Sequence, residues 1–356
     1  MKKLKFLAVL ILVFAGCAGQ KEAEVQTLTL MTWNVHNLFD GEDDGFEYNE
    51  FRQSAGWNDE KYLGRINSIS AAIGSVEYSP DIIFLQEVES LKILDDLAFS
   101  MSGFLWGYFA GSYGSAIGLG VLSRLPIMDA RAHTIVIEGD EIPRPVLEVR
   151  VLVSDIQDDV QSSVVIFVCH LKSKIGGDAV TEKLRRAGTQ VILRRIWEIW
   201  EDEPELGIII TGDLNENHNE FYRQGMTMIC ALMPDDENSA AFMADVSGDF
   251  GQSDFILISA GRPPELEYFP KENIVFFSPW FDELENGSYY YRGNWETIDH
   301  FLISGQFFNN SGWEYETAAV VNIPPFANSN GVPVSYNEKT GAGLSDHLPL
   351  VVRFTK

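Results

Sequence analysis

The sequence contains little cysteine. Beyond Cys17, only Cys169 and Cys230 occur in the 356 residues, too few for the disulfide framework that stabilises many small secreted domains. Cys169 lies within a strand pattern, where we expect a buried, unreactive thiol. The fold must therefore rest on its hydrophobic core, and a chain with 46% hydrophobic and 12% aromatic residues can build a large one.

Basic residues are also scarce. The chain has 26 Lys and Arg against 52 Asp and Glu, which gives a formal net charge of −26 at pH 7. A protein of this charge has no general basic surface for a polyanion, and this counts against tight, sequence-independent binding of nucleic acids. The charge remains compatible with an enzyme that recruits divalent cations and meets a phosphate substrate through them.

Long apolar runs are missing as well. The run Phe6–Phe14 has nine residues, whereas a membrane-spanning helix takes roughly 20. Lysines at positions 2, 3 and 5 precede this run, and the combination is typical of a secretory signal. No later segment of the sequence is long and apolar enough to be a transmembrane helix.

The segment "FAGC", Phe14–Cys17, resembles a bacterial lipobox, in which the cysteine is acylated and becomes the mature N-terminus. We therefore predict a signal peptide at residues 1–16, a membrane anchor on Cys17 and a tether at residues 17–27. The protein would then be exported and lipid-anchored to the bacterial cell membrane or outer membrane, facing away from the cytoplasm. An ordinary signal peptide cut at a small-residue site is the alternative.

From Leu28 onward, no linker, repeat or low-complexity tract divides the sequence, so we predict one domain over residues 28–356. Helical spacing of apolar residues occurs in Lys61–Ile73, including Leu63, and in Asp178–Glu201, including Val180. Strands outnumber helices, and the helices fall between strands, which predicts an α/β or α+β domain of packed sheets with outer helices. The predicted strands are Leu28–Asn34, Asp81–Gln86, Gly118–Ser123, Val146–Val153, Val164–His170, Ile208–Asp213, Asp254–Ile258, Thr297–Ile303 and His347–Phe354.

The stretch "GIIITGDLNEN", Gly207–Asn217, ends a buried strand with a carboxylate and an amide two positions apart. In an extended segment residues i and i+2 point the same way, so we expect Asp213 and Asn215 to share one face of the sheet. Such a pair suits the positioning of an attacking water and a phosphoryl oxygen. An ordinary turn at a strand end is the alternative.

Five more strands carry a polar side chain at one end. Each alone has a structural explanation, such as a turn cap, a solvated end or a buried histidine. Together they indicate a site, because catalytic residues commonly lie at strand ends on a rigid scaffold. The residues are Asn34, Glu87, His170, Asp299 with His300, and Asp346 with His347.

Seven motifs in this order resemble the endonuclease/exonuclease/phosphatase family: "TWNVHNLFD", "FLQEVE", "GVLSRLPI", "HLKS", "GDLN", "IDHFLIS" and "SDHLPLVV". The resemblance runs from about Leu28 to Phe354. It implies a four-layer αββα sandwich with two mixed sheets face to face. The active site would lie at one end of the sandwich, where the polar strand ends converge.

The resemblance also implies a metal site. Glu87 matches the metal-binding Glu of the family and Asn34 the Asn beside it, both serving one Mg²⁺ or Mn²⁺ ion, and Asp346 matches a residue near the metal. Mg²⁺ prefers a few protein oxygen ligands, with water and substrate phosphate completing its shell.

The remaining motif residues match groups that act on water and phosphate. Asp213 and Asn215 correspond to the residues that orient the attacking water and hold the phosphate. His170 corresponds to a histidine that binds a phosphate oxygen or the leaving group. His347 and Asp299 correspond to a His–Asp pair that manages a proton, with His347 acting either as a base toward water or as a cation on the phosphate.

The sequence departs from two subgroups of the family. His36 stands where repair-type nucleases carry an Asp, and "ETIDHFLIS" stands where inositol polyphosphate phosphatases carry an aromatic-Cys-Asp-Arg run. We expect His36 to be an exposed loop residue. We expect Arg124 to brace a turn rather than touch the substrate.

The predicted substrate is a phosphodiester of DNA or RNA, cleaved by a monomeric enzyme. A sphingomyelinase-type enzyme, a small-molecule phosphatase and a non-catalytic surface-binding lipoprotein are the alternatives. Two aromatic segments, Phe104–Ala116 and Asn286–Trp295, are expected to border the cleft, where rings could stack on bases. Packing of these rings against the edge of the sandwich is the alternative.

Overall fold

The computed structural model describes residues 25–154, 163–246, 254–261 and 274–356. The predicted signal peptide and Cys17 lie outside these ranges. The strands within them are β1 Thr27–Leu38, β2 Ile82–Val88, β3 Trp106–Ala110, β4 Gly118–Ser123, β5 Ile127–Ile137, β6 Asp140–Leu152, β7 Ser163–His170, β8 Ile208–Asp213, β9 Leu232–Pro234, β10 Ile256–Ser259, β11 Val275–Phe277, β12 Tyr289–Tyr291, β13 Asn294–Glu296, β14 Asp299–Ile303, β15 Glu314–Val320 and β16 Leu350–Thr355. The helices are α1 Asp59–Gly74, α2 Leu91–Ser100, α3 Asp178–Asp202, α4 Glu220–Arg223 and α5 Glu237–Val246.

The described strands form two large mixed sheets and a small hairpin. One sheet has six strands in the order β15-β16-β1-β2-β4-β3, and the other has eight in the order β5-β6-β7-β8-β14-β11-β10-β9. The pairs β1–β2 in the first sheet and β7–β8 in the second are parallel and have antiparallel neighbours on both sides. At one edge of the second sheet, β9, β10 and β11 also run parallel. Strands β12 and β13 form the hairpin.

Alternation along the strands divides the core into layers. On β7, Val164, Ile166 and Val168 pack between the two sheets, whereas Val165 and Phe167 pack against α3. On the six-stranded sheet, alternate residues of β1 and β2 likewise face either the other sheet or α1 and α2. This period of two is the pattern of sheets buried on both faces. The four-layer αββα sandwich predicted from the sequence is confirmed.

All nine predicted strands and both predicted helices are present, with ends that differ by a few residues. The final strand begins at Leu350, three residues later than predicted. Among the strands that sequence patterns did not indicate is β5, an edge strand whose burial pattern lacks clean alternation. Leu63 and Val180 were expected on the apolar helix faces, but both are exposed. In α1, Tyr62 and Arg65 are buried instead of Leu63.

The two cysteines of the described residues match the expectation from the sequence. Cys169 and Cys230 are free and buried, as expected for an unreactive Cys169. Across the parts of the chain that the structure describes, no helix combines the length and apolar character that crossing a membrane takes.

Candidate active site

Three neighbouring strands of the eight-stranded sheet bring polar side chains to one level. His170 on β7 is the register partner of Asp213 on β8, and Asp213 is the register partner of Asp299 on β14. Directly paired residues point to the same face of a sheet. Two positions along their strands, Val168 and Phe301 pack between the sheets, so the shared face is the inner one. The polar row therefore closes the inner core at this end of the sandwich.

The turn after β8 explains the motif Gly-Asp-Leu-Asn. Gly212 has φ of 115°, and a Cβ there would lie 2.1 Å from the backbone oxygen of Cys169, so the position requires glycine. The Asn215 N–H donates to Asp213 Oδ1 at 2.9 Å, and its amide donates to the Leu171 carbonyl at 3.1 Å. Asn215 lies beyond the strand with φ of 51°. Our expectation of a shared strand face is therefore wrong for Asn215, which a turn brings beside Asp213.

His347 and Asp299, 48 positions apart in sequence, form a buried pair. Asp299 Oδ2 lies 2.8 Å from His347 Nδ1 and accepts a second hydrogen bond, at 2.6 Å, from the Ser288 hydroxyl. The other ring nitrogen, Nε2, lies 4.0 Å from Asp213 Oδ2. Because Asp299 fixes Nδ1, His347 presents Nε2 toward Asp213.

Glu87 reaches the site through an irregularity in the six-stranded sheet. On β2, Gln86 follows the inner-facing Phe84 by two residues, so a regular strand would point Glu87 outward. The register between β1 and β2 shifts here, and Glu87 takes φ of 65°. Asn37, itself at φ of 57°, donates its backbone N–H to Glu87 Oε2 at 2.8 Å. A bulge on β1 and a left-handed residue on β2 therefore aim the carboxylate, as bulges near active sites often do.

Asn34 bridges the two sheets. Its amide NH₂ donates to Glu87 Oε1 and to Asp213 Oδ2, both at 3.0 Å. Its oxygen accepts the backbone N–H of His36 at 3.0 Å, which fixes the orientation of the amide. In this arrangement Asn34 positions both carboxylates. Its coordination of a metal through the oxygen stays a prediction.

Burial and neighbouring charges shift several pKa values. Burial and the nearby Asp299 raise the pKa of Asp213, against an opposing effect of His347. Burial acts to lower the pKa of His347, but Asp299, Asp346 and Asp213 together raise it. For His170, burial and the cations Arg144, His347 and Lys172 lower the pKa well below its ordinary value. His170 is therefore a neutral ring, 3.6 Å from Asp213 Oδ2 and 3.7 Å from Glu87 Oε1.

Two groups of potential metal ligands occur among the described residues. One consists of Asp213, Asp299 and His347. The other consists of Glu182, Glu216 and Cys230, but Arg185 lies 2.6 Å from Glu216 Oε2 and makes this group a buried ion pair. Neither group contains the predicted ligands Glu87, Asn34 and Asp346.

The predicted metal ligands Glu87, Asn34 and Asp346 nevertheless suit a divalent cation. The side chains of Glu87 and Asp346 are 16% and 28% exposed, so solvent reaches both carboxylates. With Asp213 and Asp299 they make four carboxylates around this end of the sandwich, an excess of negative charge that a cation would offset. Hard oxygen donors beside open positions for water and substrate suit Mg²⁺ or Mn²⁺.

Other predicted residues fall into supporting positions. Arg124 donates to the carbonyls of Pro80 and Ser102 at 3.1 Å each, so it braces a turn as expected. The expectation of an exposed loop residue is wrong for His36, which lies within β1 with a side chain 30% exposed and its Nδ1 3.8 Å from Asp346 Oδ1.

The two aromatic segments behave differently. In Asn286–Trp295, the Tyr289 ring lies against His347 with centroids 4.6 Å apart, so this hairpin does border the site. In Phe104–Ala116, β3 forms the edge of the six-stranded sheet, and Phe104 is buried under Arg124. The Phe104 ring thus packs against the sandwich edge, as the alternative interpretation predicted, whereas Trp106 and Tyr113 of the same segment are exposed.

Three contributors to the site were not predicted from the sequence. Ser288 holds Asp299, while Arg144 and Lys172 are cations beside His170. Ser288 lies in an aromatic hairpin, and its sequence context gave no signal. Arg144 stands between Pro143 and Pro145, a rigid context that could have indicated a fixed side chain.

The sandwich of two mixed sheets thus gathers carboxylates, amides and imidazoles at one end, a set of groups that can hold a metal ion and position water. The model of the Endonuclease/Exonuclease/phosphatase family matches residues 31–347, and the chain belongs to that family. Enzymes of this family are phosphoesterases that depend on divalent metals. Comparison with curated protein sequences gives no match.

Solved structures of family members share the fold at low sequence identity. A truncated TDP2 from Caenorhabditis elegans has a TM-score of 0.53 and 14% identity over 93% of this chain and 98% of that chain. A family protein from Bacteroides thetaiotaomicron has a TM-score of 0.51 and 14% identity, covering 93% and 96%. A mannosyl-6-phosphatase from the same organism has a TM-score of 0.51 and 15% identity, covering 92% and 99%.

Proposed function

We propose that this protein is a Mg²⁺-dependent phosphoesterase, with Mn²⁺ as the other suitable ion, that hydrolyses its substrate by attack of water on phosphorus. The observation that carries the proposal is the bridge made by Asn34, which joins the metal-side Glu87 to the water-side Asp213. A metal bound beside Glu87 would neutralise negative charge on the phosphate oxygens.

The side chains on the eight-stranded sheet supply the water and proton chemistry. Asp213 is held through both oxygens, by the Asn215 N–H and by the Asn34 amide, so its carboxylate can orient one water. His347 presents Nε2 while Asp299 fixes its other nitrogen. Two roles stay open: His347 takes the proton of the water, or it binds phosphate as a cation while Asp213 takes the proton. The neutral His170 can donate one hydrogen bond to a phosphate oxygen or to the leaving group.

The substrate proposed from the sequence is a phosphodiester of DNA or RNA. Support comes from Tyr289 and the rest of the aromatic hairpin beside His347, because rings stack on bases. The net charge of −26 opposes it, since a polynucleotide would approach an acidic protein. A small phosphate ester is the second candidate. The cations Arg144 and Lys172 favour it, and a protein of the same fold bears the name mannosyl-6-phosphatase.

Parallel assays test both candidates. Plasmid DNA, RNA, sphingomyelin, mannose 6-phosphate and p-nitrophenyl phosphate would be incubated with Mg²⁺, with Mn²⁺ and with a chelator, using His347→Ala as the control for contaminating activity. Metal-dependent turnover of any probe that the variant lacks supports the proposal. Turnover of none would overturn it in favour of a non-catalytic binding lipoprotein.

We also propose that the protein is exported as a monomer and held at a membrane by an acylated Cys17. The support is the basic start, the short apolar run and the "FAGC" segment. The wild type should partition into detergent, Cys17→Ser should stay in the aqueous phase, and light scattering should give the mass of one chain. A freely soluble wild type, or an equally membrane-bound variant, would contradict the anchor.

A further inference from the structure

Arg144 projects from a rigid irregularity in β6. The pairing of β5 with β6 shifts register between His133 and Ile135, opposite residues 143–145. Pro143 and Pro145 have no N–H to offer the ladder, and Pro145 restricts Arg144 to extended backbone. The arginine therefore stands on a segment with few alternative conformations.

The guanidinium of Arg144 lies beside the predicted phosphate-holding amide. Its Nη1 donates at 2.5 Å to the carbonyl oxygen of Leu171, the same oxygen that accepts the Asn215 amide at 3.1 Å. Arginine has five N–H donors, so the bond to Leu171 leaves others for a ligand. Within the described ranges, Arg144 makes no ion pair with a carboxylate.

Lys172 brings a second positive charge to the same place. It follows His170 by two residues and is half-buried, with the hydroxyl of Ser173 3.5 Å from its ammonium group. Lys172 directly follows Leu171, whose carbonyl accepts the Arg144 guanidinium, so the two cations stand on adjoining positions. Burial lowers the pKa of Lys172, and the charges of Arg144 and Arg185 lower it further. Lys174, on the same loop, lies against Glu220 and Glu296. Lys172 has no such carboxylate among the residues that the structure describes.

Two cations held close together without an acidic partner raise the electrostatic energy of the fold, and such a pair is unexpected in a chain with a net charge of −26. An anion bound between them would remove the repulsion. The Asn215 amide and the His170 ring lie beside that position, and the nearest carboxylates, Asp213 and Glu87, lie 3.6 and 3.7 Å from the His170 ring on the predicted metal and water side of the site. The position therefore fits the oxygens of a phosphoryl group.

We propose that Arg144 and Lys172 form a subsite for a phosphoryl group with two negative charges, so that the enzyme prefers phosphate monoesters to phosphodiesters. The inference rests on the proposed phosphoesterase activity and selects the second of its two candidate substrates, a small phosphate ester, over the phosphodiester. A monoester is doubly charged near neutral pH, since its second pKa is about 6, whereas a diester carries one charge. In the reaction, water oxygen bonds to phosphorus, the ester P–O bond breaks, and the leaving oxygen receives a proton from the water. The products are an alcohol and inorganic phosphate.

Two probes with one leaving group test the preference. The kcat/KM of the wild type would be measured on p-nitrophenyl phosphate, a monoester, and on methyl p-nitrophenyl phosphate, a diester, and compared with Lys172→Gln and Arg144→Gln. Each variant should lose about 10- to 100-fold on the monoester, the typical strength of a hydrogen bond to a charged group, and several-fold less on the diester. Inorganic phosphate should inhibit the wild type more strongly than either variant.

Lys183→Gln is the matched control. Lys183 is an exposed lysine of α3 whose ammonium lies 3.6 Å from Glu138, and its removal should change neither rate. Equal losses on both esters in the Lys172 and Arg144 variants, with thermal unfolding unchanged, would overturn the subsite. A wild type that hydrolyses only the diester would also overturn it while leaving the proposed function intact. A wild type inactive on both esters and on every other phosphate ester would instead overturn the proposed function.

Discussion

The two sheets supply the candidate site in different ways. On the eight-stranded sheet, Asp213 and Asp299 are register partners, with side chains only 3% and 1% exposed. On the six-stranded sheet, Glu87 depends on a bulge and a left-handed backbone, and its side chain is 16% exposed. Regular pairing thus fixes the groups proposed to position water and transfer protons, whereas irregular backbone and partly exposed carboxylates form the predicted metal site.

The bulge of β1, which helps to aim Glu87, is held in place by a residue of helix α1. Arg65 of α1 is fully buried and donates to the carbonyls of Val35 at 2.6 Å and Asn37 at 2.5 Å, in the bulge of β1. Its guanidinium carbon lies 4.0 Å from the ring centroid of Tyr336. Left-handed backbone at non-glycine residues costs about 1–3 kcal/mol each, so the bulge persists because its surroundings hold it.

The largest loss of activity is expected from substitutions in the Asp299–His347 pair on the eight-stranded sheet side of the site. His347→Ala should reduce kcat by roughly 10²- to 10⁴-fold, as is typical for a positioned acid–base group. Asp299→Ala should act through the same imidazole. The double variant should therefore be much less impaired than the product of the two single losses. Steady-state kinetics at saturating Mg²⁺ measure this cycle, and fully multiplicative losses would show that the two residues do not act as a pair.

A smaller effect is expected from Glu87→Gln on the metal side. The variant loses an anionic oxygen, so its affinity for Mn²⁺ should fall by at least the roughly 10- to 100-fold that loss of an outer-shell partner costs. Mn²⁺ titration followed by electron paramagnetic resonance measures this directly. Excess metal should restore part of the activity. Normal activity of the variant at limiting Mg²⁺ would exclude Glu87 as a ligand.

Arg65→Met should weaken metal binding indirectly. Its loss leaves carbonyls of the bulge without donors and should lower the free energy of unfolding by about 3 kcal/mol, with a several-fold loss of Mn²⁺ affinity. Arg124→Met is the control, because Arg124 also donates to backbone carbonyls but at a turn away from the site. If both variants bound Mn²⁺ like the wild type, the bulge would not depend on Arg65.

The smallest effect is expected on thermal stability, which should depend on pH through a buried carboxylate beside the eight-stranded sheet. Burial acts to raise the pKa of Glu220, but Lys174 and hydrogen bonds from Asn217 and Gln224 lower it to about 2. Because the folded pKa is below the ordinary 4.5, this group stabilises the fold above pH 4.5 and loses that contribution as pH falls toward 2. Glu220→Gln should lower Tm by a few degrees at pH 7 and by less at pH 3. An equal difference at both values would contradict the assignment.

The difference between regular and irregular backbone also explains which site residues could be predicted from the sequence. The row of His170, Asp213 and Asp299 follows from apolar strands that end in polar residues, and the sandwich follows from the order of the motifs. Glu87 was indicated by its place at a strand end, but its role as a metal ligand came only from the family resemblance, because period-two alternation points its side chain away from the site. Arg65 was missed because Leu63 satisfies the helical apolar pattern while tertiary packing buries the arginine.

Contacts between residues far apart in the sequence account for the other site residues that were not predicted. Ser288 acts on Asp299 through a hairpin, and Arg144 reaches Leu171 across a strand pair, at 11 and 27 positions of separation. Such contacts depend on register shifts and turns, which single-sequence patterns do not specify.

The candidate site, in which Asn34 bridges Glu87 and Asp213, can form only late in the synthesis of the chain. Strand β16, which begins three residues after His347, pairs with β1 in the middle of its sheet. A ribosome must therefore release residues from Asn34 to beyond His347 before any complete site can exist, and a nascent chain that stops short of β14 lacks the Asp299–His347 pair altogether. Neither half of the chain should cleave an ester alone, and co-expressed halves that reassemble the sandwich should recover activity as a split reporter does.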